Sequence, residues 1–318
     1  MLISNVIYPP PSPLQKINLP FLEVAKIECY IKRDDQLQSV IQGNKYRKLK
    51  YNLEFAIEQG YEEVVSFGGA YSNHLHALSY IPELWKLKVT GYVRGEIDDL
   101  KNETLQHAKL NGIQLISLSR SEYRKRSDVE FQQDIMQNHP NGYLIPEGGT
   151  NELAVKGVIE CGNEIVEQLG EEPDYCLVPV GSGGTLAGLV QSFSDQCQSI
   201  GIAAFAGSEA VEQIRQVVLS LSGSDHSNWE ILNHFHFGGF AKMNQPLFDF
   251  ICDFQAATGI LLDPIYTSKM AFALSRLAAQ RFFQRGSKVV LLHTGGIQGW
   301  HGFKQRYSSK YPFEKMMI

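Results

Sequence analysis

The sequence lacks the features of membrane proteins, nucleic-acid-binding proteins and disulfide-stapled scaffolds. Its five cysteines are an odd number without a Cys-x-x-Cys pair, which argues against a disulfide framework and favours a reducing cytoplasm. No apolar run reaches the roughly 18 residues that cross a bilayer, and prolines interrupt the amino-terminal segment before it could act as a secretion signal. The 29 Lys and Arg against 34 Asp and Glu give a formal net charge of -5, so no basic field exists for nucleic acid or an anionic membrane. We therefore expect a cytoplasmic protein that binds a small molecule, and we assign no metal site.

The composition is that of an ordinary globular protein, with 43% hydrophobic and 20% charged residues. A length of 318 residues exceeds what one small core holds and predicts two packed domains. Short β-branched runs alternate with longer segments of helical period, which is typical of an α/β fold with open, mostly parallel twisted sheets flanked by helices. The predicted strands cover residues 28–31, 63–67, 88–93, 114–118, 143–145, 175–180, 202–206 and 288–293.

A glycine-rich loop follows the strand predicted at residues 175–180. It consists of Gly181, Ser182, Gly183, Gly184 and Thr185 and precedes a helical run. Glycines let the backbone approach a phosphate, the two hydroxyls add donors, and the next helix supplies free N–H groups. A dinucleotide fingerprint would need glycine where Leu186 stands, and a Walker loop would need a Gly-Lys pair at its end. The loop predicts a site for one phosphate, with a ligand-free strand-to-helix turn as the alternative.

Lys45 opens a helix predicted at residues 45–59, directly after Gly43 and Asn44. We predict Asn44 as the N-cap, which places Lys45 in the first turn, where the helix dipole disfavours an ammonium. A lysine with a lowered pKa is the kind that forms an imine with a carbonyl. A solvated basic helix start is the alternative explanation.

Another loop continues from a predicted strand through Gly68 and Gly69 into Ser72, Asn73 and His74. Ligands of open α/β sheets bind where strands end. Its polar side chains and bare backbone N–H groups predict a receptor for the carboxylate of an amino acid. The alternative is that Ser72 or Asn73 simply caps a helix.

Two candidate residues lie near the carboxyl end of the chain. Tyr266 is a candidate acid or base, and Thr294 could hydrogen-bond a neutral ring nitrogen. A packing aromatic and a turn hydroxyl are the respective alternatives. Surface solvation explains Lys269, Arg276 and His301, which receive no role.

Four motifs occur in one order along the chain, and together they resemble one enzyme family. They are Gly43-Asn44-Lys45-x-Arg47-Lys48-Leu49, Gly68-Gly69-x-x-Ser72-Asn73-His74, Gly181-Ser182-Gly183-Gly184-Thr185 and Leu262-Asp263-Pro264-x-Tyr266. From about Leu14 to about Gly299 the chain resembles the 1-aminocyclopropane-1-carboxylate (ACC) deaminase and D-cysteine desulfhydrase family of pyridoxal 5'-phosphate (PLP) enzymes. The resemblance implies a tryptophan-synthase-β-like fold, PLP as cofactor and a small amino acid as substrate. It also implies a homodimer, with a larger PLP-binding domain of residues 1–50 plus 152–318 and a smaller inserted domain of residues 51–151.

The resemblance also assigns roles. Lys45 would be the Schiff-base lysine and proton carrier, and residues 181–185 would hold the cofactor phosphate. Asn73 would lie beside the pyridine ring, and Ser72 and His74 near the substrate carboxylate. The tyrosine of the fourth motif would lie close to the reacting carbon.

Two positions favour the desulfhydrase branch of this family. In the deaminase branch a glutamate follows the tyrosine and a leucine stands in the later glycine loop, whereas here these positions hold Thr267 and Thr294. A hydroxyl facing the ring nitrogen leaves it unprotonated, so the ring is a weaker electron sink than a pyridinium paired with a carboxylate. β-Elimination of a thiol can proceed with the weaker sink, whereas opening a cyclopropane without an α-proton should need the stronger one. The sequence therefore predicts β-elimination from D-cysteine to pyruvate, ammonia and sulfide.

Two departures from the family pattern leave alternatives open. Tyr71 stands where the family commonly has glutamine, and Phe240 aligns with a second family tyrosine. ACC deamination and a non-catalytic PLP-binding protein are therefore alternatives. A nucleotide-dependent oxidoreductase is a third, supported by the loop at Gly181 and by Glu209, an acid after the next strand, but opposed by Leu186.

Overall fold

A computed structural model describes residues 9–37, 40–41, 43–97, 102–223 and 227–316. The strands are β1 (Leu14–Ile17), β2 (Glu28–Lys32), β3 (Glu63–Gly69), β4 (Lys88–Arg94), β5 (Gln114–Leu118), β6 (Gly142–Ile145), β7 (Tyr175–Val180), β8 (Gln198–Ala203), β9 (Trp229–Leu232) and β10 (Lys288–Leu292). The helices are α1 (Pro20–Ala25), α2 (Asn44–Glu58), α3 (Asn73–Leu78), α4 (Ile81–Trp85), α5 (Glu103–Leu110), α6 (Arg120–Arg124), α7 (Val129–Met136), α8 (Glu152–Leu169), α9 (Gly184–Ser192), α10 (Ser208–Ser222), α11 (Gln245–Thr258), α12 (Thr267–Ala279) and α13 (Gly299–Tyr307). Short 3-10 turns cover Asp34–Gln36, Glu147–Gly149 and Phe313–Lys315. In the part of the chain so described, no helix is long and apolar enough to cross a membrane.

The strands form a larger and a smaller sheet. The larger has the order β1-β2-β10-β7-β8-β9 and is parallel except for β1, which runs antiparallel to β2. The smaller has the order β5-β4-β3-β6 and is parallel throughout. This confirms the predicted α/β fold with two mostly parallel sheets. Every strand of the smaller sheet lies between residues 63 and 145, whereas the larger sheet pairs β2 with β10 from the other end of the chain. This topology supports the predicted domain limits, which stay a prediction.

The strand predictions failed where local pattern is weakest. The sequence predicted neither β1 nor β9, two four-residue edge strands with few buried positions. It also placed β8 at residues 202–206, about four residues too late. Gly201 interrupts the apolar run of β8 in the sequence. Only glycine fits at this position without a shift of its neighbours, because a Cβ would lie 2.6 Å from Val180 Cγ2 and 2.8 Å from Leu186 Cδ2. Packing between β8, β7 and α9 explains this glycine, and such packing is not visible locally.

Helix α2, which carries Lys45, is held by a buried ionic network. Arg47 is bidentate to Asp34, at 2.7 and 2.8 Å, and also donates to both carboxylate oxygens of Glu164 on α8. Lys32 of β2 pairs with the same Glu164 at 2.6 Å. The network joins α2 to β2 and α8, so the position of Lys45 depends on it.

Gly157 allows α2 and α8 to approach closely. A Cβ at this position would lie 1.9 Å from the Arg47 carbonyl oxygen, and a backbone atom cannot move aside as a flexible side chain can. We expect Gly157→Ala to lower the free energy of unfolding by about 3 kcal/mol, the upper end of ordinary overpacking. Urea unfolding would measure it, with exposed Glu167→Ala on the same helix as control. Equal stability of Gly157→Ala and the control would contradict this packing.

Candidate active site

The start of α2 lies between two loops of the larger sheet. Gly43 is the N-cap, so the prediction of Asn44 as the cap was wrong. The cause is a long-range contact: Gly43 has a φ of +73°, and a Cβ there would lie 1.9 Å from the Thr294 carbonyl oxygen. Asn44 instead donates from Nδ2 to Thr185 Oγ1 at 2.8 Å. Lys45 follows Asn44 directly. The first turn of α2, which carries Lys45, therefore contacts both Thr185 and Thr294 through the residues just before it.

The amine of Lys45 is withdrawn from water. The side chain keeps a partial opening to the surface, yet burial lowers the pKa of its amine to about 8, while the Asp263 carboxylate acts in the opposite direction. Nζ lies 3.4 Å from Asn44 Oδ1. The sequence predicted a lowered pKa from the helix dipole, and the structure adds burial as a cause. Near pH 8 a large share of Lys45 is free amine, the form that attacks a carbonyl.

The loop between β7 and α9 is the segment predicted to hold a phosphate, and we call it the cradle. Gly183 is the N-cap of α9 with a φ of +86°, and no side chain caps the helix, which leaves its first N–H groups free for an anion. A Cβ on Gly184 would lie 2.9 Å from Thr150 Cγ2 and 3.1 Å from Lys48 Cε. Glycine at 184 therefore lets the cradle pack closely against Thr150 and Lys48.

Lys48 places a buried amine at this cradle. Its Nζ donates to Thr150 Oγ1 at 2.7 Å and to Ser182 Oγ at 3.2 Å, and the two hydroxyls are 2.6 Å apart. Among the described residues no carboxylate pairs with Lys48; burial first, then the charge of Lys45, holds its pKa well below the ordinary value. A buried amine beside hydroxyls and free N–H groups offers the kind of donors that bind a phosphate.

Lys48 and Thr150 are site residues that the sequence reasoning missed. Lys45 and Lys48 stand three residues apart, and this spacing places both on one side of a helix. That spacing was the available signal for Lys48. Thr150 gave none, because only the fold brings it to Ser182.

The loop after β3 begins α3. Ser72 is the N-cap, and its Oγ accepts from the backbone N–H of His74 at 3.2 Å and of the next residue at 3.3 Å. Asn73 Oδ1 accepts from Gln298 Nε2 at 2.9 Å, and a Cβ on Gly296 would lie 2.7 Å from Asn73 Nδ2. Asn73 therefore joins the smaller sheet to the loop after β10, in which Thr294 lies.

The His74 ring is fully buried below this loop. Its Nε2 lies 2.9 Å from Ser66 Oγ, and because that hydroxyl donates to the Ile145 carbonyl, we assign the ring proton to Nε2. Nδ1 then remains an acceptor, and it has no hydrogen-bond partner among the described residues. Burial, then the charges of Lys45 and Lys48, holds the pKa of His74 well below the ordinary value, so the ring is neutral. The substrate contacts predicted for Ser72 and His74 stay predictions.

Tyr266 lies against the cradle at Gly181. A Cβ on Gly181 would lie 3.3 Å from its hydroxyl oxygen. Burial raises the pKa of Tyr266, as do the carboxylates of Asp263 and Glu147, so the phenol keeps its proton at neutral pH. Asp263 holds the start of α12, because its carboxylate accepts from the backbone N–H groups of Ile265, Tyr266 and Thr267. Thr267 Oγ1 accepts in return from the Asp263 N–H at 2.7 Å.

The two residues that depart from the family pattern are both surface aromatics. Phe240 is 52% exposed and stands edge-on to Tyr266, with ring centroids 5.8 Å apart. Tyr71 is 51% exposed and packs on α13, where a Cβ on Gly302 would lie 2.9 Å from its ring. A cavity of about 440 Å³ adjoins Tyr71, and its lining includes His76, His107, Gln298 and His301. Because Gln298 also bonds Asn73, this cavity adjoins the site.

The structure thus links the predicted site residues by direct contacts. The Lys45 turn contacts the loops of Thr185 and Thr294, and Tyr266 contacts Gly181. Glu209, the acid that supported the oxidoreductase alternative, is exposed in the first turn of α10. The site combines a lysine with a lowered pKa, a glycine-rich loop at an uncapped helix start and a phenol with a raised pKa.

The comparisons with known proteins agree with this site. Residues 8–295 match the family model described as "Pyridoxal-phosphate dependent enzyme". A relative named "Bifunctional D-cysteine desulfhydrase/1-aminocyclopropane-1-carboxylate deaminase, mitochondrial" from Arabidopsis thaliana is 29% identical over 309 residues, 91% of this chain and 77% of the relative. "D-cysteine desulfhydrase" of Serratia proteamaculans is 26% identical and covers 85% and 86% of the two chains. A crystal structure described as an ACC deaminase homologue has a TM-score of 0.80 and 28% identity, with 95% and 94% coverage.

The fold and site define an α/β enzyme with a lysine beside a phosphate cradle. The chain belongs to the family of PLP-dependent enzymes, and PLP is its cofactor. Its relatives carry the names that the four motifs implied, which confirms the resemblance. Family membership leaves the oxidoreductase alternative without support.

The residues present fit PLP. The free N–H groups of α9, the hydroxyls of Ser182 and Thr150, and the amine of Lys48 that donates to both hydroxyls suit its phosphate. Lys45, with its lowered pKa, suits its aldehyde. Asn73 bonds Gln298 and contacts Gly296 in the segment that also carries Thr294, so the two residues predicted to adjoin the ring belong to connected segments.

Proposed function

We propose that this chain is a carbon–sulfur lyase of the D-cysteine desulfhydrase type, which converts D-cysteine and water to pyruvate, ammonia and sulfide. The observation that carries the proposal is that the loops of one site hold both a lysine that can accept a proton and a buried phenol that still carries one. Burial lowers the pKa of Lys45 to about 8 and raises that of Tyr266. β-Elimination needs both a base for the α-proton and an acid for the departing thiolate.

Each side chain has one step in this scheme. Bound PLP withdraws electrons from the α-carbon of the amino acid and makes its proton acidic. Lys45 Nζ accepts that proton, and the Tyr266 hydroxyl donates its own proton to the sulfur as the carbon–sulfur bond breaks. Sulfide loss leaves an enamine, which water converts to pyruvate and ammonia.

The surroundings of Asp263 support elimination over ring opening. Its carboxylate oxygens accept hydrogen bonds from three backbone N–H groups at the start of α12. The Asp263 carboxylate is therefore engaged with the backbone rather than with a ring nitrogen. Thr267 Oγ1 accepts from the Asp263 N–H within the same helix start. Thr294 would offer the ring nitrogen a neutral hydroxyl. A ring nitrogen without a carboxylate partner stays unprotonated, which suits the weaker electron demand of thiol elimination.

The experiment is a product assay on cofactor-loaded protein. D-cysteine, L-cysteine and ACC are each incubated with wild type and with Tyr266→Phe, and sulfide, pyruvate and 2-oxobutyrate are measured. The proposal expects sulfide and pyruvate in equal amounts from D-cysteine. It also expects Tyr266→Phe to be slower by about 100-fold, within the usual range for a general acid. Turnover of L-cysteine alone, or none with either cysteine, would refute it.

ACC deamination is the second candidate. A structure described as an ACC deaminase homologue and the bifunctional plant relative support it. Ammonia and 2-oxobutyrate from ACC, without sulfide from D-cysteine, would establish it in place of the first proposal. PLP binding without turnover of any amino acid would indicate a non-catalytic PLP-binding protein.

The lowered pKa of Lys45 predicts how PLP uptake depends on pH. Only the free amine attacks the aldehyde, so uptake by the cofactor-free protein should rise about tenfold per pH unit below pH 8 and level off above it. The rate at which the visible absorbance band appears after PLP addition measures this. A rate that keeps rising to pH 10, as for an ordinary lysine, would contradict the burial of the amine.

We also propose a cytoplasmic homodimer with the domain limits given above. The family resemblance supports the dimer, and the position of the smaller sheet within residues 63–145 supports the limits. Light scattering after size exclusion should give twice the mass of one chain. A monomer at micromolar concentration would contradict the dimer.

A further inference from the structure

Lys269 lies in the interior, contrary to the prediction that surface solvation explains it. It is 0% exposed and stands in the first turn of α12, three residues after Tyr266. Its Nζ donates to the carbonyls of Ala204, His236 and Gly239 at 3.0, 3.0 and 2.9 Å. Burial lowers its pKa to about 8, against the opposing charge of Asp263. The full set of three backbone carbonyls satisfies its three donors.

Two of those carbonyls belong to one loop, residues 236–242. Each already closes a turn: Gly239 N–H donates to the His236 carbonyl, and Lys242 N–H donates to the Gly239 carbonyl. Lys269 therefore binds both turns at once, while Ala204 ties its amine to the end of β8. Losing the amine would leave buried carbonyls short of a donor.

The loop needs this support, because its backbone is strained. Phe237 and Ala241 have φ angles of +55° and +53°, a region that non-glycine residues rarely adopt. Gly238 and Gly239 between them are also at positive φ. Such a conformation persists only when its surroundings hold it, and the amine of Lys269 is the buried group that bonds two of its carbonyls.

The loop carries Phe240, whose ring stands edge-on to Tyr266 at 5.8 Å. Tyr266, the proposed acid, and Lys269 both lie at the start of α12. The same turn of helix therefore carries the phenol and the amine that binds the loop of Phe240. Phe240 is 52% exposed, so its ring depends on the backbone of the loop for its position beside Tyr266. We propose that Lys269 is a positioning residue, which fixes loop 236–242 so that Phe240 orients the phenol of Tyr266 toward the substrate.

The test measures the loop and the reaction separately, since the second rests on the proposed function. In Lys269→Met, hydrogen exchange of residues 236–242 should become at least about tenfold faster, while the PLP absorbance band should keep its position and intensity. Turnover should show a fall in kcat/KM of about 10- to 100-fold, the scale of a misplaced catalytic group. Lys242→Met, an exposed change in the same loop, is the matched control and should alter none of these.

A double-mutant cycle distinguishes positioning from general support. If Lys269 acts through Phe240, Lys269→Met should cost little further activity in a Phe240→Ala background. Additive losses in activity would overturn the proposal, and so would unchanged exchange of the loop in Lys269→Met. Lys269→Gln, which keeps two donors, carries the same comparison if the methionine variant does not fold. Should wild type turn over no amino acid, the proposed function fails, and the exchange measurement still decides whether Lys269 holds the loop.

Discussion

Lys48→Met is expected to weaken PLP binding by about 10- to 100-fold, the worth of one charge-assisted hydrogen bond to a phosphate. The same change should stabilise the cofactor-free protein by about 1–3 kcal/mol, because it removes a buried amine that pairs with no carboxylate in the described part of the chain. The two effects have opposite signs and a single cause. In the cofactor-free protein the burial of the Lys48 amine is unfavourable. The phosphate offsets this unfavourable free energy only when PLP binds.

PLP titration and urea unfolding without PLP measure the two effects on Lys48→Met. Lys50→Met is the matched control, since Lys50 lies on the same helix and pairs with Glu160 at 2.6 Å near the surface. Such pairs contribute about 0–1 kcal/mol, so the control should change little in either assay. A Lys48→Met protein that binds PLP like wild type, or is less stable without it, would contradict the role of Lys48.

Arg47→Met should lower the free energy of unfolding by about 3–5 kcal/mol, the usual cost of breaking one partner out of a buried ion pair. Burial by itself would raise the pKa of Asp34, but the charge and hydrogen bonds of Arg47 outweigh it and hold the pKa below its ordinary value. Without Arg47, the carboxylates of Asp34 and Glu164 would lose their bidentate partner. Because the network anchors α2, the displacement of Lys45 should also slow PLP uptake.

Adding Asp34→Asn to Arg47→Met distinguishes two contributions to the lost stability. One is the loss of the Arg47 contacts, and the other is the buried Asp34 carboxylate left without its partner. The double variant should recover part of the stability lost in Arg47→Met, since no fully buried carboxylate then lacks its partner. Denaturant unfolding of the two single variants and the double variant measures this coupling. Losses that simply add would show that the two side chains do not act as a pair.

The sequence predicted those features whose cause is local. Strand-loop-helix transitions at residues 68–74 and 181–185 follow from apolar runs that end in glycine, and both loops occur as predicted. The order of four motifs predicted the family and the cofactor. Central strands such as β10, buried almost throughout, also left a clear apolar run.

Features set by distant contacts could not be predicted in this way. Asn44 was a plausible cap by residue type, but the Thr294 carbonyl places Gly43 there instead. Lys48 and Lys269 look like ordinary helix lysines in the sequence, and only the fold surrounds them with hydroxyls or carbonyls. For a lysine, residue type alone does not distinguish a solvated charge from a buried one.

The central claim is that Lys45 binds PLP covalently and that the site accepts an amino acid. The most direct measurement is the absorbance spectrum of purified, PLP-loaded protein, wild type beside Lys45→Ala, before and after addition of D-cysteine. We expect a visible band in wild type that is absent from Lys45→Ala and that shifts when D-cysteine is added. No visible band in wild type after PLP addition, or the same band in Lys45→Ala without amino acid, would contradict the account.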